Sequence, residues 1–304
     1  MDLIVRPITG PDELDLFGGL TYLLDDELAD DLDAGRRRPG WMWVALRGDR
    51  LVARAAWWGE SSPEILDVFD IEDGAVDEGF ALLSVALGAV IPADETPPEY
   101  IRFVPTDWRD QPESRRVVEE RLEVIARMGA SPLVERLRLE WRPGTPIAAP
   151  SERLAFRPTR GRDEMVALMT RALEGTLDAH SRDDLTHMGP AEAATAHYDG
   201  ELAEYRSPQE WWRIATLPDG EPVGFVAPAR NAYNAMIGYI AVLPEHRGNR
   251  YVDDLLAEGT RVLAAESVPR IRASTDVGNV PMAAAFARAG YVTFERSINW
   301  TWDR

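Results

Sequence analysis

Apolar and polar positions fall into a pattern that occurs twice along the chain. Leu3–Leu14 (LIVRPITGPDEL) and Leu154–Met165 (LAFRPTRGRDEM) each start as a short apolar strand stopped by a proline. Each continues into a helix opened by acidic residues, which suit its positive end. Trp43–Trp57 and Trp212–Val226 each read as two strands joined by a turn holding Gly and Asp. Ile125–Trp141 and Phe286–Trp300 each read as a helix end, a glycine suited to a left-handed cap, and an alternating strand. Three matches in one order argue for duplication of a single fold.

Each half then runs strand, one or two helices, hairpin, strand, helix, strand, helix, strand. Such an order predicts an α/β fold, a mixed and mostly antiparallel sheet flanked by helices. In the second half the pattern places strands near Leu154–Pro158, Trp212–Leu217, Val223–Ala227, Ala235–Leu243, Ile271–Thr275 and Tyr291–Asn299. Helices are expected near Arg162–Leu173, Val252–Ala265 and Pro281–Ala289. Pro143–Pro150 (PGTPIAAP) reads as the linker, which puts one domain at 1–146 and the other at 147–304.

Composition narrows the function. A chain of 304 residues, 45% hydrophobic, is long enough for two cores. It has no cysteine, which excludes disulfides, thiolate metal sites and a cysteine nucleophile. No apolar run approaches the roughly 18 residues of a membrane span, and no signal-peptide layout opens the chain. The expected address is the cytoplasm.

The net charge of −19 is unevenly shared. Residues 1–150 carry 30 acidic side chains against 16 arginines, and residues 151–304 carry 22 against 17. All 33 basic residues are arginine. The one basic run, Arg36–Arg38, is too short for a nucleic-acid stripe and reads as a solvated turn. The acidic run Asp25–Asp33 reads as a solvated helix face. His180, His187 and His197 lack a compact ligand spacing, so no metal is expected. Trp57-Trp58 and Trp211-Trp212 fit strands with one ring inside and one outside.

The chemistry concentrates in two segments. Tyr239–Leu256 (YIAVLPEHRGNRYVDDLL) is an apolar strand ended by Pro244, a polar turn with Gly248, and a helix start. A turn feeding a helix N-terminus offers several N–H groups and the positive dipole end, a geometry suited to a pyrophosphate. Arg247 and Arg250 would add charge-assisted contacts. The second segment, Asp276–Tyr291 (DVGNVPMAAAFARAGY), follows a strand and opens another helix, with Asp276 read as its cap.

Together, in this order, the two segments resemble the GCN5-related N-acetyltransferase (GNAT) superfamily. There a strand ending in V-x-P leads into an Arg/Gln-x-x-Gly-x-Gly/Ala loop, and a later Asn opens a helix running to Gly-Phe or Gly-Tyr. The resemblance covers Glu152–Arg304. It implies that the pyrophosphate of acetyl-CoA lies among Arg247, Gly248, Asn249, Arg250, Tyr251 and Val252. It also implies that Ile240, Ala241 and Val242 offer backbone groups to the pantetheine arm, like an added strand. Asn279 would hydrogen-bond the cofactor, with Ala283 and Phe286 lining its arm. The first half resembles a degenerate GNAT domain, because Phe69–Ala75 (FDIEDGA) is acidic where phosphate would sit. Tandem proteins of this superfamily have such an arrangement.

Two departures bear on activity. Arg250 and Val252 stand where the loop usually has Gly and Gly or Ala. Arg250 must therefore avoid positive φ or accept strain. The usual strand Glu is replaced by the stretch Ala235-Met236, and the usual helix Tyr by Phe286. Tyr239 is the substitute acid, and His180, in the connection between the first helices, a candidate base. The expectation is acetyl transfer from acetyl-CoA to an amine of a small molecule, by direct attack in a ternary complex. The alternative is a catalytically weak or inactive acyl-CoA-binding sensor or scaffold. Neither a nucleic acid nor a membrane is expected as partner, and the pattern sets no oligomeric state.

Overall fold

The duplicated pattern folds twice. In the computed structural model, which describes residues 2–303, the chain forms two units. The first holds the residues up to Val134 and those from Arg296 on; the second is Glu135–Glu295. In chain order the first half forms β1 (Leu3–Pro7), α1 (Leu14–Phe17), α2 (Leu28–Asp33), β2 (Met42–Arg47), β3 (Arg50–Trp58) and β4 (Ile65–Ile71). It continues as α3 (Val76–Val90), β5 (Tyr100–Val104), α4 (Pro112–Arg127) and β6 (Ser131–Trp141). The second half forms β7 (Ala155–Pro158), α5 (Arg162–Ala172), α6 (Ala179–His187), α7 (Pro190–Gly200), β8 (Arg213–Thr216) and β9 (Pro222–Arg230). It ends with β10 (Ala235–Val242), α8 (Tyr251–Ala265), β11 (Ile271–Asp276), α9 (Val280–Arg288) and β12 (Val292–Thr301).

The expected strands and helices of the second half are present within one to three residues. The expected boundary at 146/147 differs from the observed division. Each half gives its last strand to the other unit: β6 pairs with β11 from Arg136 to Trp141, while β12 pairs with β5 from Arg296 to Trp300. Short-range pattern cannot reveal this, because either strand would pair equally well in sequence terms with its own half. The strand order is β1-β2-β3-β4-β5-β12 in the first unit and β6-β11-β10-β9-β8-β7 in the second.

The repeat is visible atom by atom. Arg6 grips Glu13 with both Nη atoms at 2.8 and 2.6 Å, and the Thr9 N–H donates to the same carboxylate at 2.7 Å. Arg157 grips Glu164 at 2.9 and 2.6 Å, and the Arg160 N–H donates at 2.7 Å. Gly129 and Gly290, which follow α4 and α9, both adopt left-handed φ, 90° and 80°.

Each of the two charge runs expected to be solvated has one buried charge, its other charged residues being exposed or half-buried. Arg37 is 1% exposed and donates to both Asp67 oxygens at 2.8 and 2.7 Å. Asp31, within the acidic run, is equally buried and pairs with Arg36 and Arg37. Charge runs read as solvated because no local signal announces a partner 30 residues away. The tryptophan pairs follow expectation: Trp57 and Trp212 are buried, Trp58 and Trp211 half-buried.

Candidate active site of the second unit

The core of the second unit positions a splayed pair of strands. α8 buries Leu255, Leu256, Gly259 and Leu263, one helical stripe, and Leu255 and Gly259 meet β9. On the other face, α5 and α7 pack Met165, Leu168, Met169 and Tyr198 near Ile214, Phe225 and Ala227. Between these layers β10 and β11 run parallel but pair only at Ala235–Ile271 and Met236–Arg272. Beyond that point β10 bulges between Ile237 and Tyr239, around Gly238. A Cβ on Gly238 would lie 2.7 Å from the Tyr205 ring, so glycine is required for this close approach. Among the described residues, the divergence leaves the β11 side of Tyr239–Val242 without a strand partner. An extended amide chain can bond there as an added strand would.

The loop after β10 ends in a helix start with open donors. The His246 and Arg247 N–H groups turn back onto Leu243 and Pro244. Among the described residues, the N–H groups of Gly248, Asn249, Arg250, Tyr251 and Val252 donate to no protein acceptor. The first turn of a helix leaves such groups unpaired, and they attract an anion together with the dipole. Gly248 takes φ 83°, and Arg250, capping α8, takes φ 59° and ψ 20°. Arg250 thus accepts the left-handed conformation rather than avoiding it, at a cost of about 1 kcal/mol. Its Nε donates to Asp253, which also receives Arg288.

Arg247 is bonded to the backbone around the loop. Its guanidinium donates to four carbonyls: Val242 at 3.1 Å, Glu174 at 2.6 Å, Gly175 at 3.3 Å and Ala172 at 2.7 Å. It ties the end of α5 to the end of β10 and holds the loop from behind. The Asn249 side chain donates to the His246 carbonyl at 3.1 Å, which braces the turn.

The second motif is rearranged at residue level. Asn279, not Asp276, caps α9, its Oδ1 accepting from Met282 N–H at 3.3 Å. Asp276, 2% exposed at the end of β11, accepts instead from Ala179 N–H at 2.7 Å. Strand pairing with β6 sets Arg136 opposite it, 3.2 Å away. Ala283 is half-buried on α9. Phe286 is 1% exposed and packs edge-on to Tyr291 at 5.1 Å, in the core of the unit.

Tertiary structure brings Asp178, two residues before the candidate base His180, within charge range of the candidate acid Tyr239. His180 lies in the first turn of α6, a helix where a polar connection was expected. Asp178 caps α6, its Oδ1 accepting from Ser181 N–H at 2.8 Å. Burial works to raise the Asp178 pKa, but that N–H and Arg136 together hold it below the usual carboxylate range. Asp276 shifts the other way, pushed up by burial and by Asp178. Tyr239 stands between the Phe225 ring at 5.2 Å and the His197 ring at 5.1 Å. Burial, then the charges of Asp178 and Glu201, push its phenol well above 10, so it stays protonated at neutral pH. The Asp178-x-x-Ser and Gly189-Pro190 patterns were the available signals for α6 and α7.

The first unit has the same splay, filled by its own side chains. β4 and β5 pair in register only at Leu66–Tyr100. Past this point Arg102 donates to the Phe69 carbonyl at 3.0 Å and to Asp70 at 3.0 Å. Arg121 donates to the Ile71 carbonyl at 2.7 Å and to Asp70, which Arg54 also binds. Burial acts to raise the Asp70 pKa, and Arg102, Arg54 and Arg121 more than reverse it. Before α3, the Gly74 N–H already donates to the Glu120 carboxylate at 3.3 Å.

Residues 177–291 match the model of the acetyltransferase (GNAT) family. No curated protein matches the chain. Among solved structures, the chain is similar to a GCN5-related N-acetyltransferase from Sphaerobacter thermophilus, with 16% identity over 98% of this chain and 94% of that one, TM-score 0.59. It is also similar to a tandem GNAT protein from the clavulanic acid biosynthesis pathway, 19% identical over 99% and 98% of the two chains, TM-score 0.54. A GCN5-related N-acetyltransferase from Kribbella flavida is 11% identical over 97% of each chain, TM-score 0.54. At these identities the likeness is one of fold.

Proposed function

We propose, from a GNAT-family domain at residues 177–291 set in a two-unit GNAT-like fold, that the second unit transfers an acetyl group from acetyl-CoA to an amine of a small molecule. The observation that carries this reading is the strand divergence leading straight into open helix-start donors. Ile240, Ala241 and Val242 line the divergence for the pantetheine arm. The Gly248–Val252 N–H groups meet the pyrophosphate, with Arg250 adding charge. Arg247 and Asn249 shape that loop, and Asn279 and Ala283 border the arm from α9. Phe286 supports it from the core.

Direct attack needs a proton removed from the amine and one offered to the departing thiolate. Imidazole is the side chain that exchanges protons near neutrality, so His180 is proposed as the acceptor. Tyr239, kept protonated by burial, is proposed as the donor. Holding both substrates together would supply most of the rate enhancement.

Calorimetry with acetyl-CoA tests binding, and thiol release with a panel of amines tests turnover. Tyr239→Phe should lower turnover by about 100-fold or more while leaving acetyl-CoA affinity within about threefold. Absence of acetyl-CoA binding would sink the reading. A second reading is favoured by Phe286 and by Ala235-Met236, which provide no hydroxyl and no carboxylate at the usual places: an acyl-CoA-binding sensor or scaffold. It predicts binding with no thiol release from any amine.

A further inference from the structure

A separate cavity of about 450 Å³ opens at the end of the second unit's sheet where β10 and β11 begin. The candidate acetyl-CoA loop follows the other end of β10, roughly 25 Å along an eight-residue strand. Its walls come from the β9–β10 turn, the end of α8 and the segment leading into β11. Arg142, Arg230 and Arg270 line it, with Glu266 as the one carboxylate among the lining residues. In a chain with 52 acidic residues against 33 arginines, three arginines lining one cavity run against the general balance.

Their pairing strengthens the point. Arg142 is engaged by Glu140. Arg270 gives its Nε to the neutral Asn234 side chain at 2.8 Å, which fixes the guanidinium, and among the described residues its two Nη groups meet no carboxylate. The Arg230 guanidinium has no ion-pair or hydrogen-bond partner among the described residues, although its backbone is tied to Arg206 and Ser207. Asn231 Oδ1 accepts from the Tyr233 and Asn234 N–H groups, so the turn carrying this wall is internally braced. Glu266 and the carbonyl end of α8 offset part of the positive charge, but two arginines remain uncompensated.

Guanidinium forks match planar or tetrahedral oxyanions, and the volume suits a metabolite-sized molecule. We propose that this cavity binds a small molecule bearing a phosphate or carboxylate group, held by Arg230 and Arg270 with Arg142 beside them. The site stands apart from acyl transfer and does not depend on it.

The test is calorimetry of the full chain at low ionic strength with inorganic phosphate and, separately, citrate. Binding of either is expected, and the tighter of the two identifies the oxyanion class. Arg230→Ala should weaken it at least tenfold with no change in melting temperature, because that side chain is exposed. Arg270→Ala should do the same, and Arg270→Lys should recover part of the affinity. Acetyl-CoA should bind the Arg230→Ala protein as it binds the wild type, and should not displace the anion. The proposal is overturned by no binding of either anion, by unchanged affinity in both alanine variants, or by displacement with acetyl-CoA, which would put the anion at the loop after β10.

Discussion

At the scale of single residues, the decisive question is whether a charge meets its partner. Glu13, gripped by Arg6 and by an N–H group, is held down to about 2 from an ordinary value of 4.5. Its stabilising effect is therefore complete above about pH 4.5 and lost as pH falls toward 2. Glu13→Gln should flatten the dependence of melting temperature on pH across that window; an unchanged slope would contradict the assignment. Asp70 is a stronger case, because three buried arginines share it. Asp70→Asn should cost about 3–5 kcal/mol in denaturant unfolding, since it strands buried cations. Arg250 carries opposing effects. Arg250→Gly should relieve about 1 kcal/mol of left-handed strain and raise the melting temperature by roughly 2–4 °C. It should also weaken acetyl-CoA binding several-fold in calorimetry by removing a cation beside the loop.

At the scale of elements, the second unit works through the ends of its strands and helices. Arg247 illustrates this: one side chain closes the end of α5 onto the end of β10 through four carbonyls. A lysine keeps the charge but not the fork. Arg247→Lys should therefore lower stability and acetyl-CoA affinity nearly as much as Arg247→Ala does. Retention of most of the affinity by the lysine variant would instead make Arg247 a direct phosphate ligand. The two units also differ at equivalent elements. In the second, the diverging strands leave backbone groups open; in the first, Arg102 and Arg121 already bond the carbonyls of Phe69 and Ile71. In the first unit the splay is closed because arginines occupy carbonyls that an added strand would otherwise use.

At the scale of the whole chain, the exchange of last strands sets what can be separated. A fragment of residues 147–304, the natural choice from the linker, omits Leu139 and Trp141, both buried in the second unit's core. It also exposes β11 along the edge that β6 covers. A fragment of residues 135–295 keeps both. The longer-cored fragment should unfold cooperatively by circular dichroism, while residues 147–304 should aggregate or melt broadly. Equal behaviour of the two would mean that the exchanged strand contributes little.

Much of this protein is legible in its sequence. Strand and helix positions, the duplication, the capping glycines and the loop after β10 all rest on interactions within a few residues, where period, proline and glycine speak directly. The Arg6–Glu13 and Arg157–Glu164 pairs span only seven residues, and the repeat marks both. The remainder depends on distant partners. Arg37 is buried because Asp67 lies 30 positions away, Arg247 turns inward because α5 ends beside it, and Asp276 serves α6 rather than α9. Strand exchange belongs to the same class, since a β-strand's edge bonds any strand brought alongside and its sequence does not name the partner. Local pattern sets which elements form; burial and long-range pairing set which side chains are left over to bind.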